Sequence, residues 1–149
     1  MGWVETARGR IGMVEQGSGG VPLVLLHGVG SDKGVWQPQL EGLSAERRVI
    51  AFDYPGYGES EPLPDASRDD FAASVLAALD ALEIDRAHVC GLSLGGVVAL
   101  AMHAAAPERC ISLILADSFA VHPDGHAIHD RSLAAAANLG MRGRAEARV

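Results

Sequence analysis

The sequence predicts an α/β fold in which a mostly parallel sheet carries helices on both faces, and two observations lead to that prediction. Short apolar runs of the kind found in central strands recur along the chain, at residues 23–26, 48–53 and 87–90. Segments with an apolar helical pattern lie between and after these runs, at residues 67–82 and 97–102. Strands that alternate with helices imply right-handed crossovers, which make neighbouring strands parallel.

The ends of this pattern predict three further strands. Residues 3–7 and 10–15 are typical of two edge strands joined around Gly9, and residues 17–20 form a glycine-rich loop into the first central strand. Residues 111–116 predict another strand, which is the sixth in chain order.

Two helices have recognisable start signals. Residues 35–43 predict a short helix with Pro38 in its first turn, and Asp32 precedes it as a capping residue. Ser67 and Asp70 form a capping box at the start of the second helix. Apolar residues then fall on one face of that helix, namely Phe71, Val75, Leu76, Leu79 and Leu82.

A serine lies in a glycine-rich turn between the strand at 87–90 and the helix that follows it. Gly91, Ser93 and Gly95 fit the pattern G-x-S-x-G, in which a strained strand-to-helix turn exposes a serine hydroxyl. Glycines on both sides of the serine leave room that side chains would fill. The pattern alone also fits an ordinary glycine-rich turn with a surface serine. The apolar strand before it and the apolar helix after it favour a nucleophile elbow.

Two further segments share the order and spacing of a known family. Residues 24–30 end an apolar strand with His-Gly, and residues 53–60 place a glycine-rich turn after the next strand. Together with the serine motif at residues 91–96, they resemble the α/β-hydrolase family, from about Trp3 to Asp117. The resemblance implies the α/β-hydrolase fold, covering the strands up to about the sixth and the start of a lid.

The same resemblance implies roles for five residues. Ser93 is implied as the nucleophile, and the backbone N–H groups of Val29 and Leu94 as the oxyanion hole. His27 and Gly28 are implied to shape the substrate-binding side of this loop, and a hydrogen-bonded core histidine is the alternative for His27. No cofactor is expected for this chemistry.

The length of the chain shapes the expected domain organisation. A complete domain of this kind commonly has roughly 200 to 250 residues, and this chain has 149. We expect residues 1–119 to be the N-terminal part of the hydrolase core and residues 120–149 to begin a helical lid. By resemblance, the triad acid and histidine follow the lid, so the chain is expected to be inactive alone. A shortened relative that needs a partner chain is the alternative.

Other acidic residues and histidines are considered as the triad acid, as metal ligands and as a residue that orders a turn. Asp117 follows the sixth strand, where a minority of relatives place the triad acid; a hydrogen bond to loop backbone is the alternative. His122, His126 and His129 lie in a polar linker with no cysteine or paired carboxylate beside them, so no metal site is expected. Asp53 is expected to order its glycine-rich turn through an Asx-type bond.

Composition excludes several classes of protein. The net charge is −7 and 48% of the residues are hydrophobic, which fits a globular core and argues against nucleic-acid binding. No apolar stretch approaches the roughly 18 residues of a membrane span. We expect Cys90 and Cys110 about 13 Å apart on adjacent strands, beyond the reach of a disulfide. Reduced thiols predict a cytoplasmic location.

These expectations combine into a serine hydrolase that acts on a small carboxylic ester or lactone. Residues 36–40 and 138–144 are loosely similar to 3-oxoadipate enol-lactonases, although the second segment equally fits an amphipathic helix that packs on the sheet. A cofactor-free haloperoxidase and a C–C bond hydrolase of the same fold are alternatives. A non-catalytic half-domain is an alternative from another class. It would bind a partner chain through the exposed sixth strand. For the protein as a whole, the expected partner besides the substrate is a C-terminal portion or a second copy.

Overall fold

The structure is a computed structural model that describes residues 2–121 and residues 124, 125, 127 and 134. The strands and helices whose bounds follow lie in the first compact unit of the chain, Met1–Phe119. The strands are β1 (Gly2–Thr6), β2 (Gly9–Gln16), β3 (Leu23–Leu26), β4 (Val49–Phe52), β5 (Ala87–Leu92) and β6 (Cys110–Ala116). The α-helices are α1 (Gln37–Leu43), α2 (Arg68–Ala81) and α3 (Leu94–Ala105), and short 3-10 turns span Lys33–Trp36 and Pro107–Arg109.

The strands form one six-stranded sheet in the order β1-β2-β4-β3-β5-β6. β4, β3, β5 and β6 are parallel, while β2 pairs antiparallel with both β1 and β4. The predicted α/β class with a mostly parallel sheet is confirmed. The prediction that both N-terminal strands are edge strands is wrong for β2, which lies between β1 and β4. Its inner position buries Ile11 and Val14, whereas no residue of β1 is fully buried.

Helices cover the sheet on both faces. α2 and α3 pack on one face over the larger core cluster, and α1 with the preceding 3-10 turn packs on the other. All four residues of β3 and all four of β4 are buried, as expected for strands that are covered on both faces. The site described below lies where these parallel strands end and their loops begin.

The predicted helix signals are confirmed. The Asp32 carboxylate accepts a hydrogen bond from the Gly34 N–H at 2.7 Å, which caps the first 3-10 turn. Ser67 and Asp70 form the capping box at the start of α2, since each side chain accepts a hydrogen bond from the other residue's backbone N–H. The predicted apolar face of α2 packs into the core, with Val75 fully buried.

The β6 strand forms one edge of the sheet and differs in burial from β3 and β4. The side chains of Ile111, Ile114 and Leu115 are 41%, 51% and 44% exposed. Cys90 of β5 pairs in register with Ile114 and not with Cys110, and both cysteines are free. The predicted separation of the two thiols follows from this register.

The assignment of residues 120–149 to a lid stays a prediction. Most of this segment, including His122, His126 and His129, lies outside the described residues.

Candidate active site

The turn between β5 and α3 holds Ser93 in a backbone conformation that L-residues rarely adopt. Its φ and ψ angles are 51° and −113°, and such strain persists only where the surroundings enforce it. The Ser93 N–H donates to the Ala116 carbonyl at 2.9 Å, and the Ser93 carbonyl accepts the Gly96 N–H at 3.0 Å. The serine backbone is therefore held from β6 on one side and from α3 on the other.

Close backbone approach explains the glycines on both sides of the serine. A Cβ atom at Gly91 would overlap the backbone of Gly95 and Gly96, and a Cβ atom at Gly95 would overlap the Leu26 carbonyl. The N-terminus of α3 therefore packs directly against the ends of β5 and β3. The glycines provide the room that the G-x-S-x-G pattern indicates.

Ser118 adds a contact to this turn that the sequence analysis missed. Its hydroxyl donates to the Ser93 carbonyl at 2.8 Å, and its side chain occupies the place that a Cβ atom at Gly96 would take. Ser118, in the segment after β6, thus contacts Ser93 through its side chain. The Ala116 carbonyl at the end of β6 accepts the Ser93 N–H. The third glycine of the motif is needed for this packing.

The segment that follows β3, residues 27–32, is here named the β3 loop, and it brings Gly28 next to Ser93. A Cβ atom placed on Gly28 would lie 3.6 Å from the Ser93 Cβ. Val29 comes next in the chain and its side chain is 55% exposed. Leu94 is the first residue of α3, where an α-helix leaves its N–H groups without intrahelical partners. Such a helix end also carries partial positive charge.

His27 begins the β3 loop and lies in the core. Its ring packs against Tyr54 and Tyr57, with centroids 4.4 Å and 5.1 Å away. Nδ1 lies 2.8 Å from the Gly28 carbonyl oxygen, so Nδ1 carries the proton and donates it. Burial lowers the pKa of His27 despite this hydrogen bond, which keeps the ring neutral near pH 7. This environment fits the alternative of a hydrogen-bonded core histidine.

The segment after β4, residues 53–60, is here named the β4 loop, and it begins with a fully buried carboxylate at Asp53. One carboxylate oxygen accepts the Lys33 backbone N–H at 2.7 Å, and the other accepts the Lys33 ammonium at 2.7 Å. The second oxygen also accepts the Glu59 N–H at 2.9 Å. Asp53 therefore orders its own turn, as predicted, but not through an Asx-type bond: the residue two positions on is Pro55, which has no N–H, and the bond within the turn comes from Glu59. The ion pair with Lys33 was not predicted.

Glycines make room for this buried carboxylate. A Cβ atom at Gly12 or at Gly58 would overlap the Asp53 side chain. The Ser60 hydroxyl donates to the Asp53 carbonyl at 3.0 Å and accepts the Gly12 N–H at 2.8 Å. The motif at 53–60 therefore folds around one carboxylate that is held by backbone donors and a cation.

The Lys33 ammonium also contacts Glu59, at 2.8 Å, and Lys33 itself is 4% exposed. Burial acts to lower the pKa of Lys33, but hydrogen bonds to Asp53 and Glu59 outweigh it and raise the pKa. The lysine is therefore charged at neutral pH, as the buried Asp53 carboxylate requires.

Comparison with known proteins identifies the architecture. A family model for the alpha/beta hydrolase fold matches residues 21–145. The chain belongs to the α/β-hydrolase fold family. The fold and family expected from the three sequence motifs are confirmed.

Two curated relatives and one solved structure illustrate the similarity of this α/β-hydrolase-fold chain to known proteins. Over 100 residues it is 49% identical to the dihydrolipoyllysine-residue acetyltransferase component of the acetoin cleaving system of Pseudomonas putida, covering 66% of this chain and 27% of that protein. Over 98 residues it is 37% identical to 3-oxoadipate enol-lactonase 1 of Acinetobacter baylyi, covering 66% of this chain and 37% of that protein. The solved enol-lactonase from Burkholderia xenovorans LB400 superposes with a TM-score of 0.86 at 28% identity, over 97% of this chain and 57% of that chain. The chain therefore spans roughly a quarter to two fifths of these curated relatives.

Asp117 and the two remaining described histidines, His88 and His103, lie at different distances from the elbow. Asp117 directly follows Ala116, whose carbonyl binds Ser93, and it is exposed with a φ of 45°. His88 lies near the start of β5, where its Nδ1 is 2.7 Å from the Ser112 hydroxyl. His103 lies near the end of α3, about 15 Å along the helix from Ser93 at 1.5 Å per residue.

Three residues at the site escaped sequence reasoning, namely Lys33, Tyr54 and Ser118. One signal could have indicated Lys33: it is the single lysine in the chain, and the other basic residues are arginines. Asp53 follows a run of apolar residues that predicts a buried strand end, and a carboxylate buried there needs a cation. No local pattern indicates the contacts of Tyr54 and Ser118.

Within residues 2–121 and the four other described positions, no group of three or more histidine, cysteine or acidic side chains could hold a metal ion. No helix in that part of the chain combines the length and apolar character needed to cross a membrane.

Proposed function

We propose that this chain provides the nucleophile and oxyanion hole of a serine hydrolase that acts on a small carboxylic ester or lactone. The observation that carries the proposal is the strained Ser93 backbone at the start of α3, with Gly28 of the β3 loop beside it. The relatives named as enol-lactonases support the substrate class. The reaction requires no cofactor.

The proposed reaction proceeds through an acyl-enzyme. The Ser93 hydroxyl attacks the carbonyl carbon while a base takes its proton, and the backbone N–H groups of Val29 and Leu94 donate to the oxyanion. Collapse of the tetrahedral intermediate expels the alcohol, which receives the proton from the base. Water then attacks the acyl-enzyme and releases the acid. Loss of one oxyanion donor typically costs about 2.7 to 4 kcal/mol in the transition state.

The base is proposed to come from residues beyond those described, and the acid either from there or from Asp117. Among the described histidines, His27 is enclosed by aromatic rings, while His88 and His103 lie at a strand start and a helix end away from Ser93. Asp117 stays the candidate acid within the described part, since it adjoins the residue whose carbonyl binds the Ser93 N–H. Without its base, Ser93 is a weakly nucleophilic alcohol.

Ester and lactone hydrolysis by the purified chain tests this proposal. With p-nitrophenyl acetate and dihydrocoumarin as substrates, we expect a rate above that of buffer but far below that of an ordinary enzyme. Ser93→Ala should lower it to the residual rate that binding and the oxyanion hole support without the serine. A rate unchanged by Ser93→Ala would overturn the assignment of the nucleophile. Ser93-dependent turnover at an ordinary enzyme rate would place the base among His122, His126 and His129.

Substitutions at Val29 separate its backbone from its side chain. Val29→Ala keeps the N–H group and should leave the Ser93-dependent rate nearly unchanged. Val29→Pro removes the donor and should lower that rate steeply. Equal rates in the two variants would contradict the proposed oxyanion donor.

A second candidate function is association with another chain through β6. It is favoured by the exposed apolar side chains of Ile111, Ile114 and Leu115 on an edge strand that has no charged residue or proline. Sedimentation velocity should then show association of the chain that Ile114→Lys abolishes. A monomer at every concentration would contradict self-association.

A further inference from the structure

The β3 loop is attached at both ends to neighbouring residues of the β4 loop. At its start, the Tyr54 hydroxyl donates to the His27 carbonyl at 3.0 Å. Directly after its end, the Asp53 carboxylate binds both the backbone N–H and the ammonium of Lys33. Gly28 and Val29 lie between these two attachments. A hydrogen bond between the Gly30 backbone and Tyr57 adds a contact with the β4 loop beside Val29. The position of the Val29 peptide relative to Ser93 therefore depends on how firmly these contacts hold the loop.

The attachment at Lys33 is a buried ion pair. The Asp53 side chain is fully buried, the Lys33 side chain is 6% exposed, and their charged atoms are 2.7 Å apart. Replacement of a buried ion pair by apolar side chains is often neutral for stability, because desolvation offsets the attraction. Such a pair does, however, fix the relative position of the segments that carry it when both ends are fully hydrogen-bonded.

The presence of lysine rather than arginine at position 33 also agrees with a charged group held at a fixed position in a confined space. Eleven of the twelve basic residues are arginines, and the single lysine forms this buried pair. The compact ammonium of lysine can occupy a point between two carboxylates, whereas the planar guanidinium of arginine needs a wider site. Here the ammonium contacts the buried Asp53 on one side and the half-exposed Glu59 on the other.

We propose that Lys33 is a positioning residue that holds the β3 loop, and with it the Val29 N–H, at a fixed place beside Ser93. This inference rests on the proposed function, in which that N–H is an oxyanion donor. Lys33 does not touch the substrate. It acts through Asp53, which couples the end of the β3 loop to the start of the β4 loop.

Backbone dynamics of the 149-residue chain test the proposal without any catalytic readout. In the wild type we expect ¹⁵N order parameters near 0.85 at Val29 and Gly30, and in Lys33→Met values below about 0.6 at both amides. Arg48→Met is the matched control. It removes a cation that pairs with Glu15 at the opposite end of β4, and it should leave both amides rigid. Rigid amides in a folded Lys33→Met variant would overturn the proposal.

Lys33→Met leaves the Asp53 carboxylate buried without its cation, so a second variant guards against loss of the fold. Lys33→Met/Asp53→Asn removes both charges, and we expect it to fold and to show the same loosening at Val29 and Gly30. Rigid amides in the double variant would overturn the proposal just as they would in the single one.

The rate of Ser93 labelling by a fluorophosphonate separates this inference from the proposed function. We expect labelling to slow 10- to 100-fold in Lys33→Met, because a displacement of about 1 Å can cost that much. Arg48→Met should stay within about twofold of the wild type. Slower labelling with unchanged order parameters contradicts the positioning role. A wild type that never labels, but whose β3 loop loosens in Lys33→Met, contradicts the proposed function and supports the positioning role.

Discussion

The elbow at Ser93 and the β3 loop lie side by side, but different forces hold them. The elbow is fixed by backbone packing, because Gly91 and Gly95 allow α3 to touch the ends of β5 and β3. The β3 loop is fixed by side chains that reach across from the β4 loop, namely the Tyr54 hydroxyl and the Asp53 carboxylate. One half of the site is therefore set by steric exclusion, and the other half by polar contacts in the core.

This difference predicts how each half responds to substitution. Backbone contacts without side chains cannot relax, so the elbow should fail abruptly when any atom is added. Polar contacts can be lost one at a time, so the β3 loop should loosen in steps. Substitutions in the two halves of the site should separate these two responses.

The largest loss in the free energy of unfolding is expected from Gly95→Ala in the elbow. The added Cβ would overlap the Leu26 carbonyl, so we expect a loss of at least about 3 kcal/mol in the free energy of unfolding. Gly42→Ala is the control, because a Cβ at Gly42 within α1 meets no atom within 4 Å. It should stabilise the chain by about 0.5 to 1 kcal/mol. Urea denaturation measures both, and a tolerated Gly95→Ala would refute the steric account.

Removal of one hydroxyl from each half should lower the free energy of unfolding by less than Gly95→Ala does. The loss should differ between the two halves. Tyr54→Phe takes the donor from the buried His27 carbonyl and should cost about 1 to 3 kcal/mol. Ser118→Ala takes a donor from the Ser93 carbonyl, which still accepts the Gly96 N–H, so its cost should stay below about 1 kcal/mol. Thermal unfolding compares the two variants. A larger loss from Ser118→Ala would contradict the view that backbone packing holds the elbow.

The smallest effect concerns the pH dependence of stability through His27. Burial lowers its pKa in the folded state below the ordinary 6.5, so the unfolded chain binds a proton more readily. The stability that the neutral ring contributes is present above pH 6.5 and is lost as the pH falls toward the lowered value. His27→Gln should therefore show a shallower loss of stability between pH 7.5 and pH 5. Urea midpoints at each pH measure the slopes, and identical slopes would rule out a buried neutral His27.

The elbow was predictable from the sequence because its determinants are local. The glycines on both sides of Ser93 and the capping box at Ser67 act within a few residues, so their spacing alone indicates the geometry. The inner position of β2 was not predictable in this way, because strand order depends on pairing across the whole sheet. The Lys33–Asp53 pair joins residues 20 positions apart, and no periodic pattern marks such a contact.

The candidate site was predictable in part for the same reason. The expectation that Val29 and Leu94 act as oxyanion donors came from the family pattern, and the structure places Gly28, the neighbour of Val29, next to the Ser93 Cβ. Asp117 directly follows β6, whose Ala116 carbonyl accepts the Ser93 N–H, and its assignment as the triad acid stays a prediction.

Covalent labelling of Ser93 tests the central claim most directly. A fluorophosphonate probe should react slowly with the folded chain, because the oxyanion hole assists a serine whose base is missing. The reaction should occur at a single position, and peptide mapping by mass spectrometry should find the phosphonyl group on Ser93. Ser93→Ala should abolish the modification, and unfolding in urea should abolish it in the wild type, because the elbow geometry is lost. A label on Ser112, Ser118 or any other residue, or equal labelling of the folded and unfolded chains, would contradict the assignment of Ser93 as the nucleophile.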